Sequence, residues 1–178
     1  MGSDFKLHAV KEYGAGGWIT STKFLPEAPA NWNAISVNHL LDISEECFQT
    51  SVRHQKLNAR IIRKKRSVGL IPQIDEQIPR EALDETVLRV QEQLEKQNVS
   101  ALPYCAFNGG SDAWVDVGNK RVGVQILQSY LGIEAAETLH IGDQFLNTGN
   151  DYAARDCCPW YVSFSLWNRI FVILFLSF

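Results

Sequence analysis

The stretch from Tyr104 to Asp151 constrains the fold most tightly. It opens on a short apolar run, Tyr104-Cys105-Ala106-Phe107, turns through Asn108-Gly109-Gly110-Ser111, and resumes as an extended, alternating segment from Ala113 to Val117. Val122, Ile126, Leu127 and Tyr130 then recur at helical spacing, which predicts a helix from about Lys120 to Leu131 closed by Gly132. Thr138-Leu139-His140-Ile141 reads as a buried strand running into Gly142-Asp143. Strand, loop, helix and strand in this order predict a βαβ unit and a parallel sheet. Ligands of open α/β sheets bind beyond the carboxyl ends of the strands, where Asp143 falls, behind a glycine that permits a sharp turn.

Asp143 and Asp151 share the segment HIGDQFLNTGND. Two neighbouring carboxylates repel unless a proton or a cation neutralises them. The pair therefore points to a hard cation such as Mg²⁺, which takes a few carboxylates, retained waters and a phosphate oxygen. A plainer reading stands beside it, with Asp143 capping the next turn and Asp151 capping a helix from about Tyr152. Lys120 heads its helix, where a cation opposes the macrodipole. A lysine set against that preference suits an anion such as phosphate, although a solvated lysine leaves the same trace. His140 reads as strand packing without a catalytic role, and Trp114 as core.

The first 35 residues carry Gly14-Ala15-Gly16-Gly17 and two prolines, as an irregular or strand-containing segment with turns does. From Ser36 the positions of Val37, Leu40, Leu41, Cys47, Phe48 and Val52 predict a helix. Between Arg53 and Arg66 lie seven basic residues and no acid, either a solvated face or an anion site. Ser67 to Ile71 is a short strand ended by Pro72. Pro79 opens a second helix marked by Leu83, Val87, Val90 and Leu94.

The 178 residues, 46% hydrophobic and 21% charged with a net charge of −3, are enough for a buried core and carry no global signature of nucleic-acid or membrane binding. Cys47, Cys105, Cys157 and Cys158 form neither a CxxC nor a zinc spacing, which favours a reducing, cytoplasmic setting. No signal peptide is evident at the N-terminus. The end of the chain, Trp160 to Phe178, holds an uninterrupted apolar run only from Ile170 to Leu176, well short of the roughly 20 residues of a membrane span.

A lysine heading a helix, followed by strand-GD-loop-ND, resembles the third and fourth motifs of the haloacid dehalogenase superfamily. More narrowly, FNGGSDAWVDVGNKRVGVQILQSYLG together with ETLHIGDQFLNTGNDYAARD resembles the IMP-specific 5′-nucleotidases of fungi and protists. The similarity extends to IRKKRSVGLIP and the helix from Trp32 to Val52, and spans most of residues 5–159. The resemblance implies an α/β fold: an incomplete Rossmann-like haloacid dehalogenase core with an α+β cap. Residues 1–104 would be a partial cap, 105–159 the C-terminal half of the catalytic core, and 160–178 a divergent apolar tail.

The activity implied is Mg²⁺-dependent hydrolysis of inosine 5′-monophosphate through an aspartyl-phosphate. Lys120 would neutralise the phosphate and the nucleophile. Asp143 would hold Mg²⁺, and Asp151 would ligate it or support the loop or a metal-bound water. Asp112 would contact substrate or merely stabilise its turn. Asp116 would face the site or serve structure, and Gly109 and Gly110 would admit the ligand to the backbone. Arg63, Lys64 and Arg66 are phosphate-contact candidates for ATP as an allosteric activator, and the family implies a homotetramer. The superfamily's Asp-x-Asp nucleophile motif does not occur among these residues. The resemblance therefore implies a C-terminal portion with little turnover of its own. Two other readings remain: a sugar-phosphate phosphatase of the same superfamily, and a non-catalytic nucleotide-binding or subunit-interaction module.

Overall fold

A computed structural model describes residues 7–11, 15–19, 32–98, 102–163 and 172–175, with the first two and the last of these ranges described as backbone only. The rest of the apolar tail and of the N-terminal segment lies outside the described residues. The fold is a mixed α/β arrangement. Strands β1 (Leu7–Lys11) and β2 (Ala15–Ile19) pair as an antiparallel hairpin. Helix α1 (Ala34–Gln55) follows, its first turn capped by the Asn33 side chain, which accepts from the Ile35 amide at 2.8 Å.

Strands β3 (Ala59–Arg63) and β4 (Ser67–Pro72), helix α2 (Arg80–Lys96), and strands β5 (Tyr104–Asn108) and β6 (Ala113–Val117) complete a four-stranded antiparallel sheet in the order β3-β4-β6-β5. Alternation decides the faces: Val68 and Leu70 on β4, and Ala113, Val115 and Val117 on β6, are buried. They share one core with Leu40, Leu41 and Phe48 of α1 and Leu83, Val87, Val90 and Leu94 of α2. Gly69 and Trp114 face each other in register between β4 and β6. A Cβ on Gly69 would come within 2.6 Å of the indole, so this strand position tolerates only glycine without a shift of the ring.

Helix α3 (Lys120–Leu131) leads to β7 (Thr138–Gly142), which pairs in parallel with β8 (Trp160–Val162) and antiparallel with β9 (Val172–Phe175). Gly132 ends α3 in the left-handed conformation at φ 67°, the position that favours a residue without Cβ. Cys157, Cys158 and Ala154 pack with Val124 of α3.

This topology corrects the expected βαβ unit. β6 and β7 lie in different sheets, and α3 links the two sheets. The turn after β5 is too short for a parallel return, so β5 and β6 form an antiparallel hairpin, while the other edge of β6 is taken by β4. With both edges hydrogen-bonded, β6 has no place for β7, and the parallel pairing falls to β8. The four-stranded sheet also runs across the expected domain boundary at residue 104, since β3 and β4 lie before it and β5 and β6 after it. Among the described residues no helix is long and apolar enough to cross a membrane.

Phe48 is fully buried between α1 and the sheet core. Phe48→Ala is expected to lower the unfolding free energy by about 3–5 kcal/mol through lost transfer energy and a residual cavity, read from the urea midpoint.

Candidate functional site

The site forms where α3 begins and β7 ends. Asn119 caps α3, its side chain accepting from the Val122 amide at 3.2 Å, and Lys120 is the first helical residue. Along β7, Thr138, His140 and Gly142 are buried on one face while Leu139 and Ile141 alternate with them. The loop after β7 carries Asp143 on the surface and then folds back. Asn150 and Asp151 are thereby returned to the end of the strand they left.

Asp151 has no exposed surface and is the centre of the arrangement. Its Oδ1 accepts from Lys120 Nζ at 2.5 Å and from His140 Nε2 at 2.8 Å. Its Oδ2 accepts the amides of Asp143 at 3.2 Å and Gln144 at 3.0 Å. The carboxyl group lies against Gly142, where a Cβ would come within 2.5 Å of it. Lys120 Nζ also donates to Asn150 Oδ1 at 2.5 Å. Burial alone would raise the Asp151 pKa, but hydrogen bonds from His140 and the charge of Lys120 outweigh it and hold the carboxyl down at about 2. Burial moves Lys120 the other way, pulling its ammonium below the ordinary lysine range against the opposing pull of Asp151.

Both plain readings of the two aspartates give way to this network. A short 3-10 turn, Tyr152–Asp156, follows Asp151, but the Asp151 side chain makes no cap bond to it. Asp143 contributes its amide to Asp151 and leaves its carboxylate at an exposed position. For a cation the donor set is uneven. Asp143 can offer oxygen, whereas Asp151 already accepts four hydrogen bonds and has no acceptor position left. Of the roles expected for Asp151, metal ligand or support of the loop, these four contacts accord with support of the loop. Among the described residues no three His, Cys, Asp or Glu side chains gather as a metal cage. The residues fit one corner of a Mg²⁺ site of the open kind that draws its other ligands from water and phosphate.

The loop is anchored to the four-stranded unit. The Asn108 amide donates to Thr148 O at 2.8 Å, and Gln91 Nε2 on α2 donates to Asn147 O at 2.9 Å and Ala106 O at 3.2 Å. The hairpin turn with Gly110, at φ 99°, and Asp112 therefore abuts the loop. The Asp112 carboxylate folds back over Gly109, and the Gly109 amide donates to Asp112 O at 2.8 Å. Asp116 lies opposite Cys105 in the β5-β6 register. Burial pushes its carboxyl up to about 6 against the opposing charge of Lys64 and a hydrogen bond from Ser67. Burial also raises the Cys105 thiol to about 12, which excludes it as a nucleophile at neutral pH.

The basic candidates do not converge. Arg63 is tied to α1 by ion pairs with Asp42 at 2.9 Å and Glu45 at 3.0 Å. Lys64 Nζ sits 4.1 Å above the Trp114 ring, and the Arg66 guanidinium lies 5.3 Å from the Trp32 ring. What sequence reasoning missed is His140, read as inert packing. Its signal was a polar residue on the buried face of β7, two positions before Gly142.

Asp151 has a folded pKa below its unfolded value, so its contribution to stability is complete above about pH 4 and is lost as pH falls through about 2. Acid titration of stability is expected to show this loss, and Asp151→Asn to abolish it. Asp116 has the opposite sign. Its folded pKa is raised, so stability falls as pH rises from about 4 to 6. Asp116→Asn is expected to flatten that limb and to raise stability at pH 7 by on the order of 1–2 kcal/mol, measured by urea unfolding across pH.

Comparison with known proteins meets this geometry at the level of family. The model of the family described as IMP-specific 5′-nucleotidase matches residues 5–165. The IMP-specific 5′-nucleotidase 1 of Plasmodium falciparum is 43% identical over 143 residues, which are 74% of this chain and 31% of that protein. The Yarrowia lipolytica protein of the same name is 44% identical over 142 residues, covering 78% of this chain and 34% of that protein. The chain thus spans about a third of the length of these relatives. An IMP-bound mutant of P. falciparum IMP-nucleotidase superposes with a TM-score of 0.80 at 37% identity, over 90% of this chain and 43% of that one. The ATP-bound enzyme superposes with a TM-score of 0.73 at 37% identity, over 90% and 38%. With the family model matched across most of the sequence, the chain belongs to the IMP-specific 5′-nucleotidase family.

Proposed function

We propose that this chain supplies the phosphate-binding and metal-binding half of a phosphomonoesterase that hydrolyses inosine 5′-monophosphate to inosine and phosphate. The observation that carries the reading is Lys120, a partly buried ammonium at a helix N-terminus, held by Asn150 and Asp151 beside the exposed Asp143. Burial disfavours its charge, and an arriving phosphate dianion would relieve that cost. Lys120 is the catalytic and substrate-binding cation. Asp143 holds Mg²⁺, which neutralises phosphate charge when bound. Asp151 fixes the loop from beneath.

Gly110, Asp112 and Asp116 border the substrate side. Asp116, half-protonated at about pH 6, could hydrogen-bond a sugar or base edge as either donor or acceptor. Residues up to about 118 form the cap and those after it the core, a division near Asn119 in place of 104. The four-stranded sheet ends there and α3 begins. The IMP-bound and ATP-bound structures of the P. falciparum relative support IMP as substrate and the binding of ATP, whose role here is proposed as that of an effector. Arg63, paired with Asp42 and Glu45, and Lys64 and Arg66 beside it are the candidates for effector phosphates. A homotetrameric assembly and a cytoplasmic setting, which the free cysteines suit, complete the reading.

No Asp-x-Asp occurs in the 178 residues, so this chain by itself is proposed to lack a nucleophile. Incubated with IMP and Mg²⁺, the purified chain is expected to release no phosphate above background. A polypeptide extended to include Asp-x-Asp is expected to prefer IMP over sugar phosphates. Lys120→Ala in that polypeptide should lower kcat/KM by about 10²–10³-fold. Turnover by the 178-residue chain that Asp143→Ala abolishes sinks the proposal. A preference for sugar phosphates favours the wider superfamily reading, and an upstream sequence without Asp-x-Asp favours a non-catalytic module.

A further inference from the structure

His140 is 2% exposed, and no proposed step uses it. An ionised carboxylate only accepts, so the 2.8 Å contact to Asp151 Oδ1 requires hydrogen on His140 Nε2. Nδ1 is buried and has no hydrogen-bond partner among the described residues, so a hydrogen there would be left unsatisfied. The ring is held edge-on to Phe145, with centroids 5.6 Å apart, and Phe145 is stacked on Trp160 at 4.7 Å. A fixed donor is thereby aimed at the same oxygen that receives the Lys120 ammonium.

The geometry points to His140 as a positioning residue, which in its Nε2–H form fixes Asp151 Oδ1 and through it the direction of the Lys120 ammonium. Oδ2 is already set by two backbone amides, and the carboxyl group packs against Gly142 in the space a side chain would fill. His140 supplies the remaining constraint. Without it, Oδ1 would answer to Lys120 alone, and the flexible lysine would settle the geometry. The inference rests on the reading of Lys120 as the phosphate-facing cation.

The whole chain, labelled with ¹⁵N, provides the test. In the unmodified protein the long-range ¹H–¹⁵N spectrum of His140 is expected to show hydrogen on Nε2 and a bare Nδ1. Hydrogen on Nδ1 overturns the proposal. Two variants then separate donor from packing. His140→Gln keeps an N–H near the place of Nε2 and loses the ring, whereas His140→Phe keeps a ring and loses the donor.

Amide exchange at Asp143 and Gln144 is expected to accelerate about tenfold in the phenylalanine variant and to stay within about threefold in the glutamine variant. The Lys120 Nζ resonance should move only in the phenylalanine variant. Amides of β4 and β6 report that both variants remain folded. The reverse order identifies plain core packing and overturns the proposal, as does equal behaviour of the two variants. Titration of the unmodified protein with inorganic phosphate checks the underlying reading separately. An unmoved Lys120 resonance removes the phosphate role while leaving the exchange and tautomer results to decide the positioning.

Discussion

A carboxylate with no exposed surface is tolerated only when its acceptor positions are met, because an unpaired buried charge costs several kcal/mol. Asp151 is such a group, and the site is arranged around its four donors. Lys120 brings the start of α3 to it, His140 brings the buried face of β7, and the amides of Asp143 and Gln144 bring the turn that follows. Gly142 is a glycine because the carboxyl group occupies the space of its side chain. A helix, a strand and a loop are joined by one group, alongside the packing of Val124 on Ala154, Cys157 and Cys158 and the bond from Gln128 to Thr138. Charge-assisted hydrogen bonds are the strong ones, which suits this task.

The same network sets the chemistry. Asp151 spends its acceptors on the protein and is held far into its ionised form, while Asp143, eight residues earlier, keeps its carboxylate at the surface. Two acids that look equivalent in sequence thus divide into a buried brace and an exposed carboxylate. Burial acts on Lys120 more strongly than the opposing pull of Asp151, and its depressed pKa expresses that balance. In the proposed function, a cation in that condition at a helix N-terminus meets an incoming anion. The four-stranded unit takes part through Gln91 and Asn108, whose bonds to Asn147 and Thr148 clamp the middle of the loop from outside. α2 and β5 are thereby tied to the loop that carries Asp143.

Local pattern was enough to find α1, α2, α3 and three strands of the four-stranded sheet, β4, β5 and β6, because their apolar spacing and their Asn, Pro and Gly boundaries are written in adjacent residues. β3 was hidden in the basic run that contains it. Lys120 also drew notice, as a cation set against the helix macrodipole, and Asp143 and Asp151 as neighbouring carboxylates. The pairing of strands did not follow from order alone. The parallel return expected from β6 to β7 failed because β4, forty residues earlier in the chain, fills the edge of β6 that β7 would need. His140 was passed over for a similar reason, since a histidine on a buried strand face is ordinary packing until the acid it meets is known.

The sequence by itself determined the family, the helices and the set of charged groups near the end of β7, since each depends on residue types at fixed short spacings. Tertiary structure alone decided which strands share a sheet, that Arg63 answers to Asp42 and Glu45, and that Asp151 lies beneath the site while Asp143 lies on it. The physical reason is burial. Whether a carboxylate is a ligand or a brace depends on how many donors surround it and how much water reaches it, and both are set by segments distant in the chain.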